Sequence, residues 1–285
     1  MKLLTGKRVV GNVLVAPAIA YLIRFLALPL LAVFAMSFLS RGSYGNVLFK
    51  FNPLNYVRLF DPLYAQILGF SLAIAGATTV LTLVAGYPLA YVIARSAPKW
   101  RPVLLFGVLL PFWTNFMIRI YAWMMILRSD GLLHAFLSGL GLLRDPLDIL
   151  YTPGAVLIGM VYEYLPFMIL PLYTSLEKIE EAQLAAAADL GAKPAQVFWR
   201  IVWPLSLPGV TAGVTLVFVP AMGMFVVSDL MGGAKSLLVG NLIRNQFLSA
   251  RDWPFGAAAA VVLLALTLIL VFVYTRQTRG AALSR

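Results

Sequence analysis

Residues 181–210 read EAQLAAAADLGAKPAQVFWRIVWPLSLPGV. This polar, alanine-rich piece, with Glu177, Glu180, Glu181 and Asp189 in or beside it, lies between two apolar runs. The spacing from Glu177 to Leu190 predicts one helix, with acids in its first turns where the helix dipole favours them. Gly191 takes the place of a glycine that ends a helix. Pro194 can open a second helix at its first position, and Pro204 and Pro208 then mark the start of the next apolar run. The stretch therefore reads as a helix–glycine–helix elbow on a membrane surface. Ala185, Ala186, Ala187 and Ala188 give its first arm a slim body that can approach another backbone closely. Phe198, Ile201, Val202 and Leu205 give its second arm an apolar face toward its own bundle. Helices that merely rest on lipid carry a basic face opposite bulky apolar anchors. An arm that is acidic at its start and alanine-rich at its centre is built instead to dock on protein.

The rest of the chain makes it a membrane protein. Of its 285 residues 61% are hydrophobic and 12% charged, whereas soluble domains are about 25% charged. The formal charge of +11 fits Lys and Arg gathered in loops beside anionic lipid. Nucleic-acid binding is set aside, because no basic stripe interleaved with aromatics occurs. The absence of cysteine excludes disulfides, thiolate metal sites and cysteine nucleophiles. The single histidine, His134, falls in a segment read as a loop; with no cluster of acids around it, it is read as a surface residue and no metal site is expected. The N-terminus begins like a signal peptide, but its apolar region runs on to Leu39 without a small-residue cleavage site, and it is read as an uncleaved first span.

About 20 apolar residues are needed to cross ~30 Å of hydrocarbon. Six segments qualify, at 12–39, 66–94, 102–127, 152–175, 206–228 and 255–274, and together they form a single transmembrane domain. The third and fourth contain prolines and polar residues, which hydrocarbon tolerates only where neighbouring helices or a cavity satisfy the freed backbone. With the N-terminus inside, twelve Lys and Arg fall on the cytoplasmic side, among them Lys2, Lys7, Arg8, Arg95, Lys99, Arg101 and Arg285. Eight fall outside, among them Arg128, Arg144 and Lys235. That bias places both termini and the elbow, about 177–205, in the cytoplasm. Residues 40–65 become an outer loop with short interfacial pieces, and 236–250 a short surface or re-entrant helix.

The segment AAAADLGAKPAQVFWRIVWPLSLPG resembles the cytoplasmic loop, E-A-A followed by Gly and then I-x-x-P, of the permease subunits of ABC importers. Gly191, Ile201 and Pro204 match that pattern. Ala185 stands where the pattern has Glu, with Glu181 one turn earlier on the same helix face. FNPLNYVRLFDPLY (51–64), LLPFWTNFMIRIYAW (109–123), LPFMILPLYTSLEKI (165–179), PAMGMFVVSDLMGGAKSLLVGNLIRNQF (220–247) and RDWPFG (251–256) are similar to the polyamine-importing branch, for spermidine and putrescine. The resemblance implies an all-α, six-span permease of the type I importer class in a bacterial inner membrane. It implies a second permease subunit, two ATP-binding cassette subunits and a periplasmic binding protein as partners. It also implies that the elbow, through Glu181, Ala185, Ala186, Asp189, Gly191, Ile201 and Pro204, couples to the ATPase. No phosphate-binding G-x-x-x-x-G-K-[ST] occurs in the chain, so no cofactor is expected on it; ATP and Mg are expected on the partner subunits, and no catalytic residue is assigned.

A polyamine is a flexible multi-cation, held by carboxylates and aromatic faces. Ionisable residues inside a span cost about 2.5–3.5 kcal/mol each on insertion scales. Glu163 lies near the middle of span four between Tyr162 and Tyr164. Span three offers Trp113, Asn115, Tyr121 and Trp123, and Asn115, Arg119 and Trp123 share a helix face. Asp229 closes span five. These residues make up the expected substrate pathway, with Arg119 either pairing with Glu163 or leaving it to cargo. Arg24, in span one, is read as a snorkelling or packing residue. Another small cationic or organic solute, or ferric ion, is the alternative cargo. An ion-coupled secondary carrier is the alternative class, against which stands the lack of internal symmetry.

Overall fold

In hydrocarbon every backbone donor and acceptor has to be satisfied within its own segment, and long apolar runs meet that demand as helices. The computed structural model describes residues 15, 17–142, 145–146, 148–233 and 236–283. Lys2, Lys7, Arg8, Arg144, Lys235, Arg285 and the first residues of the expected first span lie outside the described residues. The elements in order are α1 (Pro17–Met36), a hairpin of β1 (Ser40–Arg41) and β2 (Val47–Leu48), α2 (Leu54–Arg58) and α3 (Pro62–Arg95). Then come α4 (Arg101–Leu109), α5 (Phe116–Leu127), α6 (Leu132–Gly139) and α7 (Pro153–Leu176). The chain continues with α8 (Glu181–Asp189), α9 (Pro194–Gly223), α10 (Val239–Leu248) and α11 (Trp253–Leu283). Five of these helices are long and apolar enough to cross a membrane: α1, α3, α7, α9 and α11. Arg101–Trp113 and Phe116–Gly139, bent by 90° at their junction, supply a sixth span if counted as one.

Three local expectations are corrected. The helix expected from Glu177 begins at Glu181: Glu177 closes α7 by donating its N–H to Tyr173 O at 2.8 Å, and Glu180 is extended at φ −68°, ψ 139°. The helix of the fifth span begins at Pro194 and not at 206. A π-turn at Phe198–Val202 lets the Trp203 N–H reach back to Phe198 O, and Pro204, which has no N–H to give, follows without ending the helix. That helix stops at Gly223, because Met224 turns extended at ψ 120°. His134 lies on α6, not in a loop.

The chain forms two compact units. One comprises the described parts of Met1–Pro62 with Ile243–Leu264. Its hairpin pairs Ser40 with Leu48 and Arg41 with Val47. Asn55 donates to Ser37 O and Leu39 O, both at 2.9 Å, and Phe38 stacks on Phe51. Arg58 bridges to Asp252 at 2.8 Å and lies 4.1 Å over the Phe255 ring. The Asp252 carboxylate also accepts the N–H of Phe255 at 3.3 Å, which caps α11 and accounts for the acid in RDWPFG.

The other unit comprises the described parts of Leu63–Leu242 with Ala265–Arg285, and its densest packing is between α7 and α9. Gly209 and Gly213, spaced as G-x-x-x-G, make that contact possible. A Cβ on Gly209 would lie 2.5 Å from Pro171 O, and one on Gly213 2.6 Å from Met168 Sδ. Met160, Met168, Ile169 and Leu172 of α7 are fully buried there. Tyr87 of α3 and Ser206 of α9 share a hydrogen bond of 2.9 Å.

Candidate functional site

The elbow is closed by backbone geometry. Gly191 takes φ +82°, a conformation that glycine adopts without strain. Its N–H donates to Ala188 O at 2.8 Å, and the Ala192 N–H donates to Ala187 O at 3.0 Å, which satisfies the last carbonyls of α8. Lys193 then caps α9, its N–H donating to the Gln196 side chain at 2.9 Å. No side chain of α8 is buried; Glu181, Ala185, Ala186 and Asp189 are exposed and Leu190 is 89% exposed. The second arm is anchored instead. Phe198 and Trp203 pack on Tyr87 with ring centroids 5.7 and 5.5 Å away, while Ile201 and Pro204 are half-buried. The first arm thus buries none of its side chains, with Leu184 and Ala187 half-buried and Gln183 bordering a pocket beside Ser175, Leu205 and Pro208, while the second arm is fixed to α3.

Glu163 and Arg119 meet. Arg119 Nη2 donates to both carboxylate oxygens of Glu163, at 2.7 and 2.9 Å, and the two side chains are 11% and 8% exposed. Arg119 Nη1 also reaches Pro111 O at 3.2 Å and Thr114 O at 3.4 Å. Its guanidinium lies 4.4 Å from the centre of the Phe112 ring. Both carbonyls lie at the break between α4 and α5, and Pro111 O also accepts the Thr114 N–H at 3.3 Å and the Thr114 hydroxyl at 2.7 Å. One guanidinium therefore neutralises a buried acid and braces the bend. In this arrangement Glu163 offers no unpaired charge.

The remaining expected pathway residues are dispersed. Trp113 is 75% exposed and packs edge-on against Phe106. Asn115 caps α5, its side chain accepting from the Met117 N–H at 2.8 Å. Trp123 and Tyr162 stand edge to face at 5.4 Å and border an otherwise apolar groove of about 450 Å³ with Leu81, Val84 and Ile158. Tyr164 is buried and packs toward Phe167. Tyr121 lines a separate cavity of about 540 Å³ with Asp130, Asp148 and Tyr151. Asp229, half-buried, accepts a hydrogen bond from Asn241. Arg24 is exposed. Among the described residues no three His, Asp or Glu side chains gather to hold a metal.

Two features were not read from the sequence. The described residues of 224–233 and 236–242 form a polar knot: Asn241 accepts from the Leu238 N–H at 3.0 Å and donates to Phe225 O at 3.1 Å. Ser228 donates to Ser236 O, and Ser71 accepts from the Val239 N–H at 2.8 Å. The signal available was a run of small polar residues among apolar ones. The other feature is the pair of arginines flanking the α3–α4 loop, Arg95 and Arg101, which the sequence presents only as cytoplasmic charge.

A family model described as the binding-protein-dependent transport system inner membrane component matches residues 3–282. The chain is 47% identical to the spermidine/putrescine transport system permease protein PotB of Haemophilus influenzae, over 98% of this chain and 97% of that one. It is 48% identical to PotB of Escherichia coli, over 93% and 97%. Among solved structures, a bacterial ABC transporter that imports the acidic polysaccharide alginate superposes with a TM-score of 0.75 at 18% identity, covering 98% of this chain and 99% of that one. That last likeness is one of fold.

Proposed function

Because this chain belongs to the family of binding-protein-dependent transport system inner-membrane components, we propose that it is the membrane-spanning permease subunit of an ATP-driven importer of polyamines. The observation that carries the mechanism is the elbow, whose first arm buries none of its side chains while its second arm runs directly into a spanning helix. A helix so exposed, rigidly continued into the bundle, is a handle for another protein. ATPase subunits that close on ATP would displace the handle, and the bundle would change its exposure from one side to the other. ATP and Mg belong to those subunits. The second permease, the periplasmic binding protein, and a cytoplasmic position for the elbow and both termini complete the assembly.

The polyamine assignment follows from the relatives, which are permeases of spermidine/putrescine systems. Cargo passes the aromatic and acidic side chains of the expected pathway, with Glu163 acting through its bond to Arg119. The test is reconstitution in proteoliposomes with the cognate ATPase and binding protein, with labelled spermidine as cargo. Uptake that requires ATP and the binding protein and is competed by putrescine is the expected result. Uptake by this chain alone, driven by an ion gradient, would identify a secondary carrier; ATP-driven uptake indifferent to polyamines would replace the cargo.

A further inference from the structure

Two arginine–glutamate pairs tie the broken span to α7 at different depths. Glu163 and Glu177 are fourteen residues apart, about 21 Å along a helix axis. The deeper partner is Arg119, as described. The other is Arg101, the first residue of α4, whose Nη1 lies 3.1 Å from Glu177 Oε1 and whose Nε donates to Ser96 O at 2.9 Å. The deep pair is shielded on both sides; the Arg101 and Glu177 side chains are 24% and 40% exposed, open enough for water to replace the contact when it parts.

Arg95 sits at the other end of the same short loop. Its Nη1 donates to Ile179 O at 3.1 Å, and Ile179 is buried two residues before α8 begins. Its Nε and Nη2 are buried with no hydrogen-bond partner among the described residues. Unsatisfied buried donors call for an explanation. Here the guanidinium lies 5.7 Å from the centre of the Tyr91 ring, and Glu177 and Glu180, which flank Ile179, carry carboxylates that a shift of the joint would bring to the two donors. Since α8 buries nothing of its own, a displacement of the elbow enters the bundle through its root at 177–180 and through the straight continuation of α9.

We propose that Arg95 and Arg101 are positioning residues that strap the root of the elbow to the α3–α4 loop, so that moving the elbow draws α4 and the break at Thr114–Asn115 about the fixed Arg119–Glu163 pair. This rests on the importer reading above.

The test uses the complete transporter in proteoliposomes, with spermidine as the probe and cargo taken up per ATP hydrolysed as the readout. Arg101→Glu and Glu177→Arg are made singly and together. Each single reversal is expected to lower the ratio about tenfold with the yield of assembled complex unchanged, and the double reversal to return it to within about twofold of the parent. Single reversals that leave the ratio unchanged, or a double as impaired as the singles, overturn the proposal. If a reversal does not assemble, Arg95→Lys and Arg95→Ala decide: lysine preserves the ratio and alanine lowers it, and equal ratios overturn the proposal. A parent complex without ATP-driven polyamine uptake refutes the importer reading; a normal parent with indifferent variants refutes the strap alone.

Discussion

Glu163→Gln isolates the buried pair at the broken span. Glutamine keeps the shape and removes the charge. Arg119 is then left as a cation with 8% exposure, its Nε already without a partner. Breaking a buried ion pair from one side costs about 3–5 kcal/mol. Arg119 retains Pro111 O at 3.2 Å and the Phe112 face at 4.4 Å, which places the loss at the low end, about 3 kcal/mol, or roughly a hundredfold in the unfolding equilibrium. Replacing both partners with apolar residues, Arg119→Met with Glu163→Leu, removes the stranded charge and recovers most of that loss. The assay is reversible unfolding of the purified chain in mixed micelles, followed by tryptophan fluorescence, since Trp123 packs on Tyr162 beside the pair. A Glu163→Gln variant within about 0.5 kcal/mol of the parent, or a double variant less stable than the single, would refute the assignment of a structural ion pair.

Gly209→Ala puts a methyl 2.5 Å from Pro171 O and 2.6 Å from Ser175 Oγ and should destabilise the α7–α9 contact by about 1–3 kcal/mol. Gly107→Ala, with nothing within 4 Å, should be neutral or stabilising by up to about 1 kcal/mol in the same unfolding assay. Asn241→Ala removes buried bonds to Leu238 N–H and Phe225 O; exchange of the Leu238 and Val239 amides with deuterium should accelerate by about tenfold, and unchanged protection would show that the knot does not depend on Asn241. Glu181→Lys reverses an exposed charge on the free arm; uptake should fall while ATP hydrolysis by the assembled complex persists, and a parent-like ratio would remove Glu181 from the ATPase contact.

The elbow was legible because its signals are local. Gly191 and Pro194 dictate backbone conformations by their own chemistry, and both occupy the positions expected of them. The start of α8 was misplaced by four residues because Glu177 to Glu180 are compatible with helix, and only the closure of α7 against its neighbours settles where one helix ends. Pro204 and Pro208 invited a later start for the spanning helix, since a π-turn that carries a chain past proline leaves no mark in residue type. Among the inner residues, Arg119 and Glu163 were each identifiable as costly in hydrocarbon, but whether they meet depends on the 90° bend at Thr114–Asn115, a tertiary fact. Asn115 shows the same limit: its spacing puts it on a face with Arg119, yet its side chain is spent on the start of α5. The G-x-x-x-G spacing of Gly209 and Gly213 is present in the sequence, but which helix it admits so closely is fixed only by the packing of α7.

The chain contains no cysteine, so Leu190→Cys, at a position 89% exposed on the turn of the elbow, gives a single reactive thiol. Its labelling by a membrane-impermeant maleimide, in intact spheroplasts and in inverted vesicles with and without the ATPase subunits, tests the elbow as a cytoplasmic handle for a motor protein. Labelling only in inverted vesicles, and protection when the ATPase is bound, is the predicted result; labelling from the outside, or labelling that the ATPase does not slow, would contradict it.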